Sequence, residues 1–499
     1  MKRQHGGQNG GRAAKAARED AGPLKVQKGT VADLFKRLPI DVTCDKSKWE
    51  VYSQATAAVD PLEITVDRTR TWIDMTKILL EFDVEFHDGG VGAARALLTN
   101  TSSAVPINNV GHSLIKQIQL TINKGAVTVN ADHYHLEAYF DRLLNYSEEE
   151  KKSLLSLEGW ATDTPDKFDQ LNPNDVAIAD PAAWAAGGGG GAPTVGEIGN
   201  AIRAAFTRVT PNEGAKKRVE LCCQNRAVKI IIRPVIPLFS SQRYLPPGCE
   251  LKFRTQWNPR ELVMMNGPTV GATAVTQPQA SYTIVNYSPK LHIRHVDVNS
   301  ELHIKMEAAM LENQDIALYP YFTNRTVTHV VPDGRRRAQM HNVFQGYRPN
   351  YMIVGFQRGD AFNGSLAHSP FNFQDMHQSS LRVTVDGEEI PHQRLDLTSF
   401  HKEEGFNTLL QFSGRGIDSA PTGIDRQGYK DGNYLILYNF NPDGEQNFGY
   451  SYARNVGNVN IDVDFSANTA NNTTMVVSGY FEQETWLDGN KNASQRYSY

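Results

Sequence analysis

The chain has 499 residues with 51 lysines and arginines against 55 acidic residues. That length exceeds what one hydrophobic core usually organises, so two domains are expected, and the near balance of charge argues against a protein whose whole surface grips nucleic acid. No window approaches the roughly 18 apolar residues of a membrane span, and the opening MKRQHGGQNGGRAAKAARED lacks the apolar core of a signal peptide, so neither a span nor export by that route is expected.

Residues 1–45 read as a basic mobile arm. Lys2, Arg3, Arg12, Lys15, Arg18, Lys25, Lys28, Lys36 and Arg37 outnumber Glu19, Asp20 and Asp33, and Gly, Ala and Gln dilute the apolar side chains. Such an arm suits a sequence-independent grip on phosphate or on an acidic inner partner; the alternative is a solubilising tail. From residue 46 the texture becomes β-rich. Leu80, Phe82, Val84 and Phe86 alternate with Glu81, Asp83, Glu85 and His87, and Gly89-Gly90 ends that strand. Ile118, Leu120 and Ile122 alternate with polar residues, and after Asn123-Lys124-Gly125 the pattern resumes at Val127 and Val129, which predicts a hairpin with one dry face. A helix follows, capped by Asp132, with Leu136, Tyr139, Phe140, Leu143 and Leu144 on one stripe expected to pack on the first sandwich. Ser147 and Glu150 make a capping box for a second short helix reaching Leu157.

Residues 161–217, with turn-forming Asp-Pro and Asn-Pro pairs and the run Gly187 to Gly191, read as a projecting loop insertion within a first body spanning 46–258. Strands are expected at 218–223, 228–232 and 250–256, then a linker at 259–280. A second body, 281–490, restarts the strand pattern at 291–298, 301–306, 326–331 and 351–356. Leu381, Val383 and Val385 alternate up to the turn Asp386-Gly387, and strands recur at 434–438, 459–465 and 475–481 before a tail at 491–499. The fold class that follows is all-β: two successive sandwiches with a few short helices.

No catalytic constellation assembles from these patterns. Asp132, His133, His135 and Glu137 hold metal-ligating atoms, but on a helix His135 points away from the face shared by His133 and Glu137, so no metal site is expected. The glycine run lacks a following Gly-Lys-Ser or Gly-Lys-Thr and is not a phosphate loop; no cofactor is expected. Cys44, Cys222, Cys223 and Cys249 make no disulfide framework, and adjacent Cys222 and Cys223 would face opposite sides of a strand, which fits a reducing compartment during folding. Arg335, Arg336 and Arg337, after Pro332-Asp333-Gly334, form the dense basic cluster outside the arm; they read as a solvated turn or as an inter-subunit or nucleic-acid contact.

Two stretches carry a resemblance. Asn108-Asn109, His112-Ser113-Leu114, the hairpin, and the helix ending Leu143-Leu144-Asn145-Tyr146 stand in the first half. Phe344 and Gly346, Ala361 and Gly364, then Ser369-Pro370-Phe371 with Phe373, and the strand running into Asp386-Gly387 stand in the second. In this order they resemble the double jelly-roll, hexon-like major capsid proteins of DNA viruses, as in adomaviruses, adintoviruses and Polinton-type elements. Ser369 stands where the family usually has Asn, and the insertion around Gly187 has no counterpart.

The resemblance implies two eight-stranded jelly rolls, a homotrimer forming a pseudo-hexagonal capsomer, and an icosahedral shell around double-stranded DNA. It implies a structural protein, not an enzyme. Its partners would be neighbouring capsomers, penton and minor or cement capsid proteins, with the arm contacting packaged DNA. The protein would be made in the host cytoplasm, assembled in the host nucleus and located in the virion. Two other readings stay open: a β-sandwich carbohydrate-binding protein or glycoside-active enzyme, and a cellular protein derived from a captured capsid gene.

Overall fold

A computed structural model describes residues 43–54, 60–88, 96–98, 104–128, 133–169, 212–266, 282–312, 316–390, 394–412, 422–442, 456–470 and 472–497. The arm residues Lys2 to Arg37, the cap Asp132, the glycine run 187–191 and residues 267–280 of the expected linker lie outside them.

Strict alternation builds the first half. Its strands are β1 (Cys44–Ser53), β2 (Leu62–Val66), β3 (Trp72–Asp88), β4 (Ala96–Leu97), β5 (Ala104–Pro106), β6 (Ile115–Ile122), β7 (Gly125–Ala126), β8 (Val228–Ile232), β9 (Tyr244–Leu245), β10 (Leu251–Trp257), β11 (Met264–Asn266) and β12 (Thr283–Val298). One sheet is ordered β1-β12-β3-β4, with β8 and β9 also on β3; a second is ordered β2-β10-β6-β7; β5 and β11 form a small pair. The inward residues of β3, Leu80, Phe82, Val84 and Phe86, are buried, as are Ile118, Leu120 and Ile122 of β6, because period-two sequences put every second side chain on one face.

The second half is made of β13 (Ala317–Val330), β14 (Arg337–Met340), β15 (Tyr351–Gln357), β16 (Gln378–Val385), β17 (Glu388–Glu389), β18 (Leu395–Asp396), β19 (Leu435–Asn439), β20 (Val459–Phe465), β21 (Thr474–Leu487) and β22 (Ala493–Tyr497). They form a sheet ordered β13-β21-β15-β19, with β22 on β21, and a sheet ordered β14-β20-β16-β17, with β18 on β16. Asp386 and Gly387, both at positive φ, make the tight turn expected between β16 and β17. The architecture is an all-β double jelly roll with short helices.

Four local expectations change. Residues 301–306 lie in a helix, Ser300–Leu311, although Leu302, Ile304 and Met306 alternate with polar residues as in a strand. The Asn299 side chain accepts from Glu301 N, and the run of Leu, Lys, Met, Glu and Ala favours helix strongly enough to override the short alternation. Residues 218–223 are the end of another helix, Glu213–Cys222, whose cap Asn212 accepts from Gly214 N and Ala215 N; Cys222 and Cys223 are both buried at its end. Strand β12, expected in the second body, pairs with β1 and β3 of the first, so the chain crosses between the two sets of sheets after residue 298 and not through 259–280. The expected tail contains β22, paired with β21 from Ala493 opposite Leu487 to Tyr497 opposite Gln483.

The helix Tyr134–Asn145 buries Leu136, Tyr139, Phe140, Leu143 and Leu144, the stripe its spacing predicts. Its surroundings are wider than expected, since it packs on β6 of the first roll and also on aromatic residues of the second. Tyr139 stacks on Phe371 with ring centroids 4.0 Å apart and planes 4° apart, while Phe140 lies 5.4 Å from Phe373. Trp160 closes the other side of Tyr139 at 5.5 Å. The Ser-Pro-Phe-Asn-Phe segment is thus the second roll's face toward this helix. At the far end the β6–β7 turn meets β22, and a Cβ at Gly125 would collide with the Ala493 carbonyl, which accounts for the glycine. One buried apolar cluster runs through both rolls.

Two substitutions test this wedge. Phe140→Asp would bury an unpaired carboxylate at a cost of several kcal/mol, and soluble protein is expected to disappear from expression. Tyr139→Ala and Phe371→Ala, each costing about 3–5 kcal/mol, should couple by about 0.5–1.5 kcal/mol in a double-mutant cycle measured by denaturant unfolding. Additive losses would show that the two rings do not act as a pair.

Candidate functional site

The motif residues of the first half form a buried polar knot. Asn109 sits at φ 55, a conformation asparagine tolerates well. The Asn108 side-chain oxygen accepts from Asn109 N at 2.7 Å and from Ala161 N at 2.8 Å, and Ser113 Oγ donates to the Asn108 carbonyl at 2.7 Å. His112 Nδ1 lies 2.9 Å from Tyr134 Oη, and its Nε2 lies 3.2 Å from Glu158 Oε2. Tyr134 Oη also accepts from Val235 N at 3.0 Å, and Arg142 Nη2 lies 3.4 Å from His112 Nε2. Arg142 completes the set, donating to both Glu158 oxygens at 2.7 and 3.1 Å and to the Arg233 carbonyl at 2.9 Å.

Burial lowers the His112 pKa, with Glu158 pulling the other way. Burial on its own raises Glu158, but His112 and Arg142 outweigh it and hold the carboxyl down to about 2. A tyrosine, a histidine and a carboxylate in sequence have the composition of a proton relay. Yet the His112 side chain is 0% exposed and that of Glu158 5%, so no substrate reaches them. The knot's chemistry is structural: it ties the Tyr134 helix to His112 before β6, to Glu158, and to the chain leaving β8.

A second buried pair joins residues 161–169 to the helix Glu213–Cys222. Arg218 donates to Asp163 at 2.7 Å, to the Pro106 carbonyl at 2.8 Å and to the Ala161 carbonyl at 2.9 Å, and Asn212 donates to Asp163 at 2.8 Å and to the Lys167 carbonyl at 2.9 Å. Residues 161–169 and 212–222 are therefore fastened side by side. Asp169 then reaches the second roll, accepting from Ser369 N at 2.7 Å and Asn372 Nδ2 at 2.9 Å, with His368 Nδ1 at 3.2 Å. Ser369-Pro370-Phe371 is held from below by stacking and from the side by this carboxylate.

The histidines weighed and set aside as metal ligands are drawn into packing. His133 lies against Phe362 and His135 against Phe371, and burial together with His133 pulls the His135 ring down to about 3. Burial pushes the Cys223 and Cys249 thiols up to about 12 and Cys222 higher still; with Cys44 these cysteines are free. No helix among the described residues is long and apolar enough to cross a membrane.

Arg335, Arg336 and Arg337 fall on an exposed turn and the start of β14. Arg336 donates to Asn468 Oδ1 at 2.9 Å, and Arg337 sits 3.9 and 3.7 Å from Asp462 and Asp464 of β20, so two of the three are engaged with their own sheet. Sequence patterns did not single out the exposed apolar side chains Trp49 and Val51 on β1, Ile304 and Leu311 on the Ser300 helix, and Phe400, covered on one face by Lys430 at 3.5 Å. Alternation around Trp49 was the available signal, but it does not say which face of an edge strand meets solvent.

No family model matches the chain. A Caenorhabditis elegans protein, itself uncharacterized, is 22% identical over 467 residues, covering 91% of this chain and 98% of its own length. Among solved structures, a chain of the Sputnik virophage superposes with a TM-score of 0.54 at 12% identity, covering 95% of this chain and 93% of that one. The Faustovirus major capsid protein superposes with a TM-score of 0.51 at 11% identity, covering 95% and 96%. The chain has the double jelly-roll fold found in viral major capsid proteins.

Because Glu158 is ionised far below its ordinary value of 4.5, its carboxylate adds stability that is fully present above pH 4.5 and is lost as the pH falls toward 2. Glu158→Gln should remove that dependence and, by leaving Arg142 buried without a counter-charge, destabilise the protein at pH 7 by about 3–5 kcal/mol. Urea unfolding of both proteins at pH 3 and pH 7 checks this: the difference between them must shrink at pH 3.

Proposed function

We propose that this chain is a structural capsid protein, the repeating unit of a shell, and not an enzyme. The observation that carries the reading is the pair of jelly rolls fastened to each other by a buried aromatic wedge, a fold shared over nearly the whole chain with the Faustovirus major capsid protein. Three such chains around a threefold axis present six similar bodies, a near-hexagonal block that tiles a closed surface. In this proposal residues 46–258 and 281–490 approximate the two rolls, with β12 exchanged to the first, and Arg335, Arg336 and Arg337 face a neighbouring subunit. The arm, through Lys2, Arg3, Arg12, Lys15, Arg18, Lys25 and Lys28, contacts packaged double-stranded DNA or an inner protein, and penton and cement proteins complete an icosahedral shell.

The Caenorhabditis elegans relative supports a second reading within the same fold, a capsid gene carried in or captured by an animal genome. Nuclease-protected DNA in particles released from cells making the protein separates the two: a free shell protein yields it, a cellular derivative does not.

Light scattering on purified protein is expected to give about three times the 55.5 kDa chain mass, and negative-stain images should show hexagonal outlines; a stable monomer would sink the proposal. Removing residues 1–30 is expected to leave the trimer intact while reducing nucleic-acid retention across a salt series. Equal retention by both forms removes the arm from DNA contact.

A further inference from the structure

The outer face of the six-stranded sheet holds a groove of about 430 Å³ lined by Ser47, Trp49, Thr76, Lys77, Leu79, Arg233 and Arg294. Register explains the grouping: Trp49 of β1 pairs with Arg294 of β12, and Leu79 of β3 pairs with the next outward residue of β12, His292. A break in the β3–β12 register between Ile293 and Arg294 leaves Thr76 and Lys77 outside the ladder, and Arg233 follows the end of β8. Three cations and no carboxylate line the groove. Arg294 touches Asp74 at 3.4 Å and Ser47 at 3.1 Å, whereas the Lys77 and Arg233 side chains make no hydrogen bond or ion pair among the described residues. Trp49 is 51% exposed beside them.

We propose that this groove binds a short acidic peptide segment of a second protein, with one or two carboxylates on Lys77, Arg233 and Arg294 and an aromatic or branched apolar side chain against Trp49 and Leu79. The volume suits one or two side chains, within the range of about 300–1,000 Å³ usual for ligand sites. The positive charge is confined: along β3 the groove residues are bracketed by Asp74 on one side and by Glu81 and Asp83 on the other. A point carboxylate fits such a site, while a continuous phosphate backbone crossing it would meet like charge at each end. An exposed tryptophan among arginines is the composition of a binding hot spot, and the site stands whether or not the chain builds a shell.

Fluorescence anisotropy of full-length protein with a labelled octapeptide alternating glutamate and phenylalanine tests the proposal, with oligothymidylate of equal charge as competitor. Saturable binding is expected, weakened about tenfold or more by Lys77→Glu with Arg233→Glu and several-fold by Trp49→Ala, with melting temperatures unchanged because all three side chains are exposed. Absence of peptide binding, affinity unchanged in both variants, or stronger competition by oligothymidylate than by unlabelled peptide overturns it. A changed oligomeric state of the double charge variant in light scattering also overturns it, by assigning the groove to a contact between copies.

Discussion

The stack of Tyr139 on Phe371 is the contact on which the two-roll arrangement depends. Aromatic side chains of this kind bury roughly 150–250 Å² each, so at about 25 cal/mol per Å² each contributes on the order of 4–6 kcal/mol. Polar bonds between the rolls fix the approach: Asp169 accepts from Ser369 N, Lys151 donates to the Thr422 carbonyl, and Tyr319 donates to the Tyr244 carbonyl at 3.0 Å. The apolar centre supplies attraction without direction. The rim supplies direction, because each bond is satisfied at one relative placement of the rolls. The proposed shell role needs both, since an angle that varied between copies would prevent regular tiling.

The buried ions make sense in the same terms. Arg142 with Glu158 and Arg218 with Asp163 carry charge into the interior, where desolvation offsets most of the attraction, so neither pair is strong evidence of net stability. Both flank the entrance of the 161–217 segment. Arg218 with Asp163 and Asn212 holds residues 161–169 beside the helix Glu213–Cys222.

Alternation made β3, β6, β16 and β20 legible, because one buried face and one wet face leave a period-two trace in the sequence. The Tyr134 helix stripe and the Ser147 capping box were legible for the same kind of local reason. The helix Ser300–Leu311 was not: it buries Met310 alone, so solvent imposed no helical stripe and a chance alternation stood in its place. Phe371 gave no hint of Tyr139, nor Glu158 of His112, because partners far apart in the chain leave no spacing to read. Asn108, His112 and Ser113 were recognisable as a motif before their role was known, and that role is internal satisfaction of buried polar groups.

Where function was sought, the chemistry went inward and the surface kept the interactions. The groups with the composition of a catalytic relay are sealed and fully partnered, while side chains with spare capacity, Trp49, Lys77, Arg233 and Phe400, lie on sheet faces and loops. A shell component has to resist deformation inside and recognise neighbours outside. Under the proposed shell role, the closed His112–Glu158–Arg142 knot serves rigidity and the exposed Trp49, Lys77 and Arg233 serve recognition of neighbours.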